Sequence, residues 1–177
     1  LRGFLGIVTF MSTTPLVSII IPTHNAPDYL AQAVDSITRQ TYNNWELVVI
    51  DDGSTPPTDL TPQITAFPDK IFLYRNKIAT GGSSAKNLGI EKSRGDIVAY
   101  LDHDDLYTAI YLERAVYALT KYPQIDLFFM GIDWFGERCK GGKEAYTKAM
   151  EKLLGTIETR QLEPRLLGFG DDLFNAL

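Results

Sequence analysis

Leu16-Val17-Ser18-Ile19-Ile20-Ile21-Pro22 is apolar and mostly β-branched, with no regular alternation of polar residues. A strand of this composition is covered on both faces, as happens where helices pack on the two sides of a parallel sheet. Pro22 lacks an amide hydrogen and is expected to end the strand. Downstream of it, Leu30, Ala33, Val34 and Ile37 recur at helical spacing, with Asp28 placed to cap that helix. Residues 45–50, 71–74 and 96–101 read as further strands, and a fifth is expected over 125–130. A short helix is expected around residues 58–67, after the Pro56-Pro57 bend. Another opens at Gly81-Gly82-Ser83-Ser84, with serine as its cap, and ends near Arg94-Gly95; Leu112, Ala115, Val116 and Leu119 share the face of a third.

Strands alternating with helices over short connections predict an α/β fold, a doubly wound and mainly parallel sheet flanked by helices. Ligands in such sheets bind beyond the carboxyl ends of the strands. The polar clusters after Ile21, Ile50 and Leu101 fall at that edge, so three segments distant in sequence are expected to meet in one crevice.

The remaining sequence sets outer bounds. A chain of 177 residues, 45% hydrophobic and 22% charged, has the composition of one globular domain. Its net charge of -5 argues against a nucleic-acid-binding surface, which needs clustered Lys and Arg. Cys139 is the only cysteine, which excludes an intrachain disulfide and fits a reducing, cytoplasmic setting. The apolar run over residues 1–11 is shorter than the roughly 20 residues that span a bilayer, so no transmembrane segment is expected there. Met11-Ser12-Thr13-Thr14 reads as a start preceded by an extension, and residues 1–14 stand outside the predicted fold. Beyond Gly136, Tyr146, Ala149, Met150 and Leu153 keep a helical stripe.

Asp102 and Asp104 are two residues apart at a strand end, so their carboxylates project to one side and can share a ligand. Like charges held together need a cation, and oxygen-only ligands suit Mg²⁺ or Mn²⁺ completed by phosphate oxygens and water. The same aspartates could equally form a solvated loop that caps the next helix. Asp51-Asp52-Gly53-Ser54 sits where a strand-to-helix loop is expected; it can serve as a turn, or as carboxylates for a ribose hydroxyl or base imide. Gly81-Gly82 lacks the spacing of a dinucleotide fingerprint and the Gly-Lys-Ser/Thr of a P-loop. Lys86 and Arg75 are candidates to offset diphosphate charge, and the His24-Asn25 pair stands where a ring can pack on a nucleotide base. His24 and His103 lie on different loops with one thiol in the whole chain, which does not make a zinc site; His103 is expected to face away from its aspartate neighbours. No serine nucleophile elbow is present.

Four ordered segments, Val17-Ser18-Ile19-Ile20-Ile21-Pro22-Thr23-His24-Asn25, Val49-Ile50-Asp51-Asp52-Gly53-Ser54, Gly81-Gly82-Ser83-Ser84-Ala85-Lys86-Asn87-Leu88-Gly89 and Tyr100-Leu101-Asp102-His103-Asp104-Asp105, together resemble glycosyltransferase family 2. The match runs from about residue 15 to 122. The resemblance implies a GT-A fold, a nucleoside-diphosphate-sugar donor, a divalent metal (Mn²⁺ or Mg²⁺) and inversion at the anomeric carbon. It places Pro22, Thr23, His24 and Asn25 along the nucleotide pocket, Asp52 at the base, Arg75 near it, Lys86 and Asp102 toward the ribose and diphosphate, and Asp104 on the metal. The catalytic base is expected in an acidic pair well downstream, for which Asp171 and Asp172 are the candidates. Residues 15–135 would then form the nucleotide-sugar-binding domain, and 136–177 a helical, partial or truncated acceptor-side region. The implied acceptor is a glycan or a lipid-linked sugar, and the implied setting is the cytoplasm, including the cytoplasmic membrane face. A non-catalytic nucleotide-sugar-binding domain is the alternative. A sugar nucleotidyltransferase is disfavoured because its glycine-rich basic signature is missing.

Overall fold

The computed structural model describes residues 14–133, 135, 142–156, 159–164 and 166–169. The chain divides into two compact units, Leu1–Asp126 and Leu127–Leu177. The first alternates strictly: β1 (Val17–Thr23), α1 (Pro27–Thr38), β2 (Trp45–Asp52), α2 (Thr61–Ala66), β3 (Ile71–Asn76), α3 (Gly82–Lys92), β4 (Ile97–Tyr100) and α4 (Tyr111–Lys121). Its four strands pair in parallel in the order β3-β2-β1-β4. The expected α/β sheet flanked by helices is therefore present.

The absence of polar alternation in β1 has its cause in the two layers that cover it. Val17, Ile19 and Ile21 face a core shared with Leu47 and Val49 of β2, Leu30, Val34 and Ile37 of α1, and Leu112 and Val116 of α4. Ile20 faces the other way, into a smaller core with Val48, Ile50 and Ala85 of α3. Each fully buried Ile or Leu contributes about 1.5–3 kcal/mol, so burying both faces anchors a single strand from two sides. The approach of α3 is close: a Cβ at Gly89 would lie 2.3 Å from Ile20 Cγ2.

At the amino edge of the sheet, the buried Glu46 carboxylate accepts hydrogen bonds from Ser18 Oγ at 2.6 Å and from the Arg94 amide at 2.7 Å, and pairs with the Arg94 guanidinium at 2.7 Å. Burial works against its charge, but these donors outweigh it and hold the carboxyl below its usual range. The network ties the α3–β4 connection to the first two strands.

Several local expectations are corrected. Pro22 does not end β1, which continues to Thr23. Ile20 O accepts from Leu101 N, so Pro22, two residues on, presents its missing amide to the same side, where β4 has already stopped at Tyr100. Asp51 and Asp52 are not a loop but the last residues of β2, in register with Arg75 and Asn76. Asp28 lies in the first turn of α1 and makes no cap hydrogen bond; Ala26 is the N-cap. The cap of α3 is Gly81, with φ 92, not a serine. Residues 125–130 form no strand, and Leu127 and Phe129 are 51% and 42% exposed. An apolar run becomes a strand only where it finds a ladder to join, and this one pairs with no described strand.

The second unit holds α5 (Gly142–Thr156) and an antiparallel hairpin of β5 (Thr159–Glu163) and β6 (Leu166–Phe169). Tyr146, Met150 and Leu153 of the predicted stripe are partly buried along α5, while Ala149 is exposed. No helix among the described residues is long and apolar enough to cross a membrane.

Candidate active site

The carboxyl ends of β1 and β2 are stitched together by side chains that the next segments bring back. Asp51 is buried, and its carboxylate accepts from the amides of Ser54 at 2.9 Å and Thr58 at 3.0 Å, with Arg75 at 3.3 Å. Burial opposes its charge, but these partners prevail and depress its pKa. Asp52 is more heavily loaded. It accepts from Asn76 Nδ2 at 2.8 Å, from the amide and hydroxyl of Thr80, both at 2.9 Å, and from the Gly81 amide at 2.7 Å. Desolvation raises its pKa, yet the hydrogen bonds overcome that and lower it to about 2. Asp52 thus clamps the β3–α3 loop against β2, which aims the start of α3 at the crevice.

The segment after β4 is held with equal care. The Asp105 amide donates back to Asp102 O, closing a turn. Tyr107 donates its hydroxyl to Tyr100 O at 2.6 Å and stacks on Tyr111 with centroids 3.8 Å apart. Gln40, just beyond the end of α1, donates to Thr108 O and accepts from the Leu112 amide, fixing the loop to the end of that helix. Asp102 and Asp104 therefore leave the sheet on a braced turn.

These segments enclose one open cleft of about 340 Å³, lined by Pro22, Thr23, His24, Asp52, Gly82, Lys86, Asp102, His103 and Asp104. Lys86 Nζ reaches Asp102 Oδ1 at 2.8 Å across it. Asp105 has its pKa pushed up by desolvation first and then by Asp104 and Asp102; of the three aspartates in this turn, Asp102 is the one paired with Lys86. Thr23 is 2% exposed and its hydroxyl has no hydrogen-bond partner, an orphaned polar group at the cleft wall. Among the described residues no three His, Cys, Asp or Glu side chains form a ready-made metal cage. Carboxylates in such a turn fit a hard divalent cation that takes its other ligands from phosphate and water.

Two of the candidate nucleotide-pocket residues do not line this cleft. Arg75 hydrogen-bonds Ser54 O at 2.8 Å and pairs with Asp51, and it is not part of the cleft wall. Asn25 also lies off the wall, with its polar atoms spent on neighbouring loops. His103 lines the cleft, with Nδ1 3.2 Å from Pro22 O. Gly82, in a segment that matches no phosphate-loop pattern, lines the cleft as the first residue of α3. Asp171 and Asp172 lie outside the described residues.

The comparisons with known proteins fit this arrangement. The Escherichia coli UDP-Glc:alpha-D-GlcNAc-diphosphoundecaprenol beta-1,3-glucosyltransferase WfgD is 37% identical over 107 residues, covering 60% of this chain and 42% of WfgD. Among solved structures, S. aureus TarS 1-349 in complex with UDP-GlcNAc superposes with a TM-score of 0.53 at 26% identity, covering 60% of this chain and 32% of that one. The mannosyltransferase PcManGT from Pyrobaculum calidifontis, in complex with GDP-Man and Mn²⁺, gives a TM-score of 0.51 at 31% identity, covering 59% and 32%. This chain spans less than half the length of the curated relatives it matches. Its sheet and these neighbours give it the GT-A type of fold. The family model described as Glycosyl transferase family 2 matches residues 18–171, and the chain belongs to that family.

Proposed function

We propose that this chain is the donor-binding part of an inverting glycosyltransferase that moves a sugar from a nucleoside-diphosphate-sugar to an acceptor hydroxyl with the help of Mn²⁺ or Mg²⁺. The observation that carries this reading is the single cleft in which Pro22-Thr23-His24, Asp52, Gly82, Lys86 and Asp102-His103-Asp104 meet from four separate segments. His24 and Thr23 fit the base end of a nucleotide. The amino terminus of α3 and the Lys86 ammonium bring positive charge to the diphosphate. On donor binding, Lys86 exchanges its pairing with Asp102 for phosphate oxygens, which frees Asp102 for a ribose hydroxyl or the diphosphate.

Asp104 is the residue we assign to the metal. When bound, a divalent cation supplies Lewis-acid stabilisation of the departing diphosphate. The structure of PcManGT in complex with GDP-Man and Mn²⁺ supports a divalent cation here by similarity. A carboxylate from Asp171 or Asp172 is the candidate to take the acceptor's proton. The lipid-linked substrate in the name of WfgD supports an acceptor on a lipid carrier; the setting proposed for it is the cytoplasmic membrane face.

The test is turnover of UDP- and GDP-sugars, with and without Mn²⁺ or Mg²⁺. Metal-dependent release of the nucleoside diphosphate, abolished by Asp104→Ala, is expected. Metal-dependent binding with no release from any donor, with or without glycan and lipid-linked acceptors, would make the chain a binding domain instead.

A further inference from the structure

Asn25 has φ 51, in the left-handed region that few residues other than glycine tolerate. Its amide donates to Ser54 Oγ at 2.9 Å, and its Oδ1 accepts from the Thr55 amide at 2.7 Å. Because Oδ1 is fixed by an N–H donor, the orientation of the side-chain amide is determined, and Nδ2 is the atom turned toward His24 Nε2, 2.8 Å away. On the other side of the ring, His24 Nδ1 lies 2.8 Å from Asp52 O. A carbonyl oxygen only accepts, so Nδ1 carries the hydrogen; Nδ2 of Asn25 only donates, so Nε2 is the acceptor. One tautomer satisfies every group, and both ring nitrogens are used inside the protein.

We propose that Asn25 is a positioning residue that fixes His24 as the Nδ1–H tautomer and seals its Nε2 edge, so that His24 offers the cleft a flat ring face and no hydrogen-bonding nitrogen. A ring presented in this way cannot ligate a metal or shuttle a proton. It recognises a flat heterocycle by stacking, and, building on the donor-binding function proposed above, that heterocycle is the nucleobase. Asn25 thereby acts on the base end of the donor without touching it.

Two measurements test this separately on the full chain. A nitrogen-proton multiple-bond NMR spectrum of the ligand-free protein reads the tautomer directly. The Nδ1–H form is expected for His24, because Asp52 O takes the hydrogen on that nitrogen. An Nε2–H form in the wild type overturns the assignment, whatever the protein binds. Calorimetry then compares UDP and GDP with inorganic pyrophosphate. Asn25→Gly, which keeps the backbone conformation and removes only the side chain, should weaken nucleotide binding roughly 5- to 10-fold and leave pyrophosphate unchanged. His24→Phe should retain more nucleotide affinity than His24→Ala, since a plain ring still stacks. Equal losses for nucleotide and pyrophosphate in Asn25→Gly, or equal losses in the two His24 variants, contradict the positioning role. Failure of the wild type to bind either nucleotide would instead sink the proposed function while the NMR result on the tautomer stood.

Discussion

Asp52 receives hydrogen bonds from Asn76, Thr80 and Gly81 on one carboxylate. Its pKa falls from 3.8 to about 2, so the folded state binds its proton less readily than the unfolded chain does. The stability this contributes is complete above the unfolded value and is lost as the pH falls through the folded one. Asp52→Asn should therefore lower stability near neutral pH by about 2 kcal/mol, since amide hydrogens would face the Thr80 and Gly81 donors. The gap between variant and wild type should narrow as the pH drops from 3.8 to about 2, as measured by denaturant unfolding across that range. Lys86 behaves differently. Its pair with Asp102 is 35% and 51% exposed, so Lys86→Met should change folding stability by less than about 1 kcal/mol. The same substitution should weaken UDP or GDP binding roughly tenfold, because a charge-assisted contact to the diphosphate is lost. A large fall in melting temperature with unchanged nucleotide affinity would reverse these assignments.

Among the elements, α3 depends on its proximity to β1. Gly89 leaves no room for a Cβ against the buried Ile20 side chain, whose branched atoms are confined by the sheet. Gly89→Ala should destabilise the protein by about 1–3 kcal/mol through overpacking, although alanine favours a helix interior by about 1 kcal/mol. Equilibrium unfolding checks the sign. The same elements show what could be read from sequence. Strands β1 and β2 were legible because two-sided burial leaves an uninterrupted apolar run, and β3 and β4 by their apolar residues although Val98 and Tyr100 of β4 are exposed. Their ends were not. Asp51 and Asp52 extend β2 because Ser54, Thr58, Asn76, Thr80 and Gly81 supply donors, and local pattern carries no record of partners that the fold brings together. Residues 125–130 show the converse, since apolar composition alone did not provide a ladder. In the cleft, the acidic and basic candidates were legible by type and by place after a strand. Asn25 and Arg75 have partners the sequence does not announce, Thr55 and His24 for the first and Ser54 and Asp51 for the second.

At the scale of the whole molecule, every residue lining the cleft belongs to the first compact unit, Leu1–Asp126. A fragment of residues 14–126 should therefore fold and bind a nucleoside diphosphate with an affinity within about threefold of the full chain, roughly 0.6 kcal/mol, as calorimetry would show. Turnover needs the acceptor side and a base in addition, so the fragment should release no nucleotide from a sugar donor. The central claim is narrower than catalysis: the aspartate turn after β4 and the Lys86 face of α3 form a metal-assisted diphosphate site. The most direct measurement is calorimetric titration of UDP and GDP into the wild type and Asp104→Ala, each with and without Mn²⁺. Tighter binding with Mn²⁺ in the wild type, and loss of that dependence in Asp104→Ala, is the predicted result. Binding that ignores Mn²⁺ in both proteins, or no binding by either nucleotide, would contradict it.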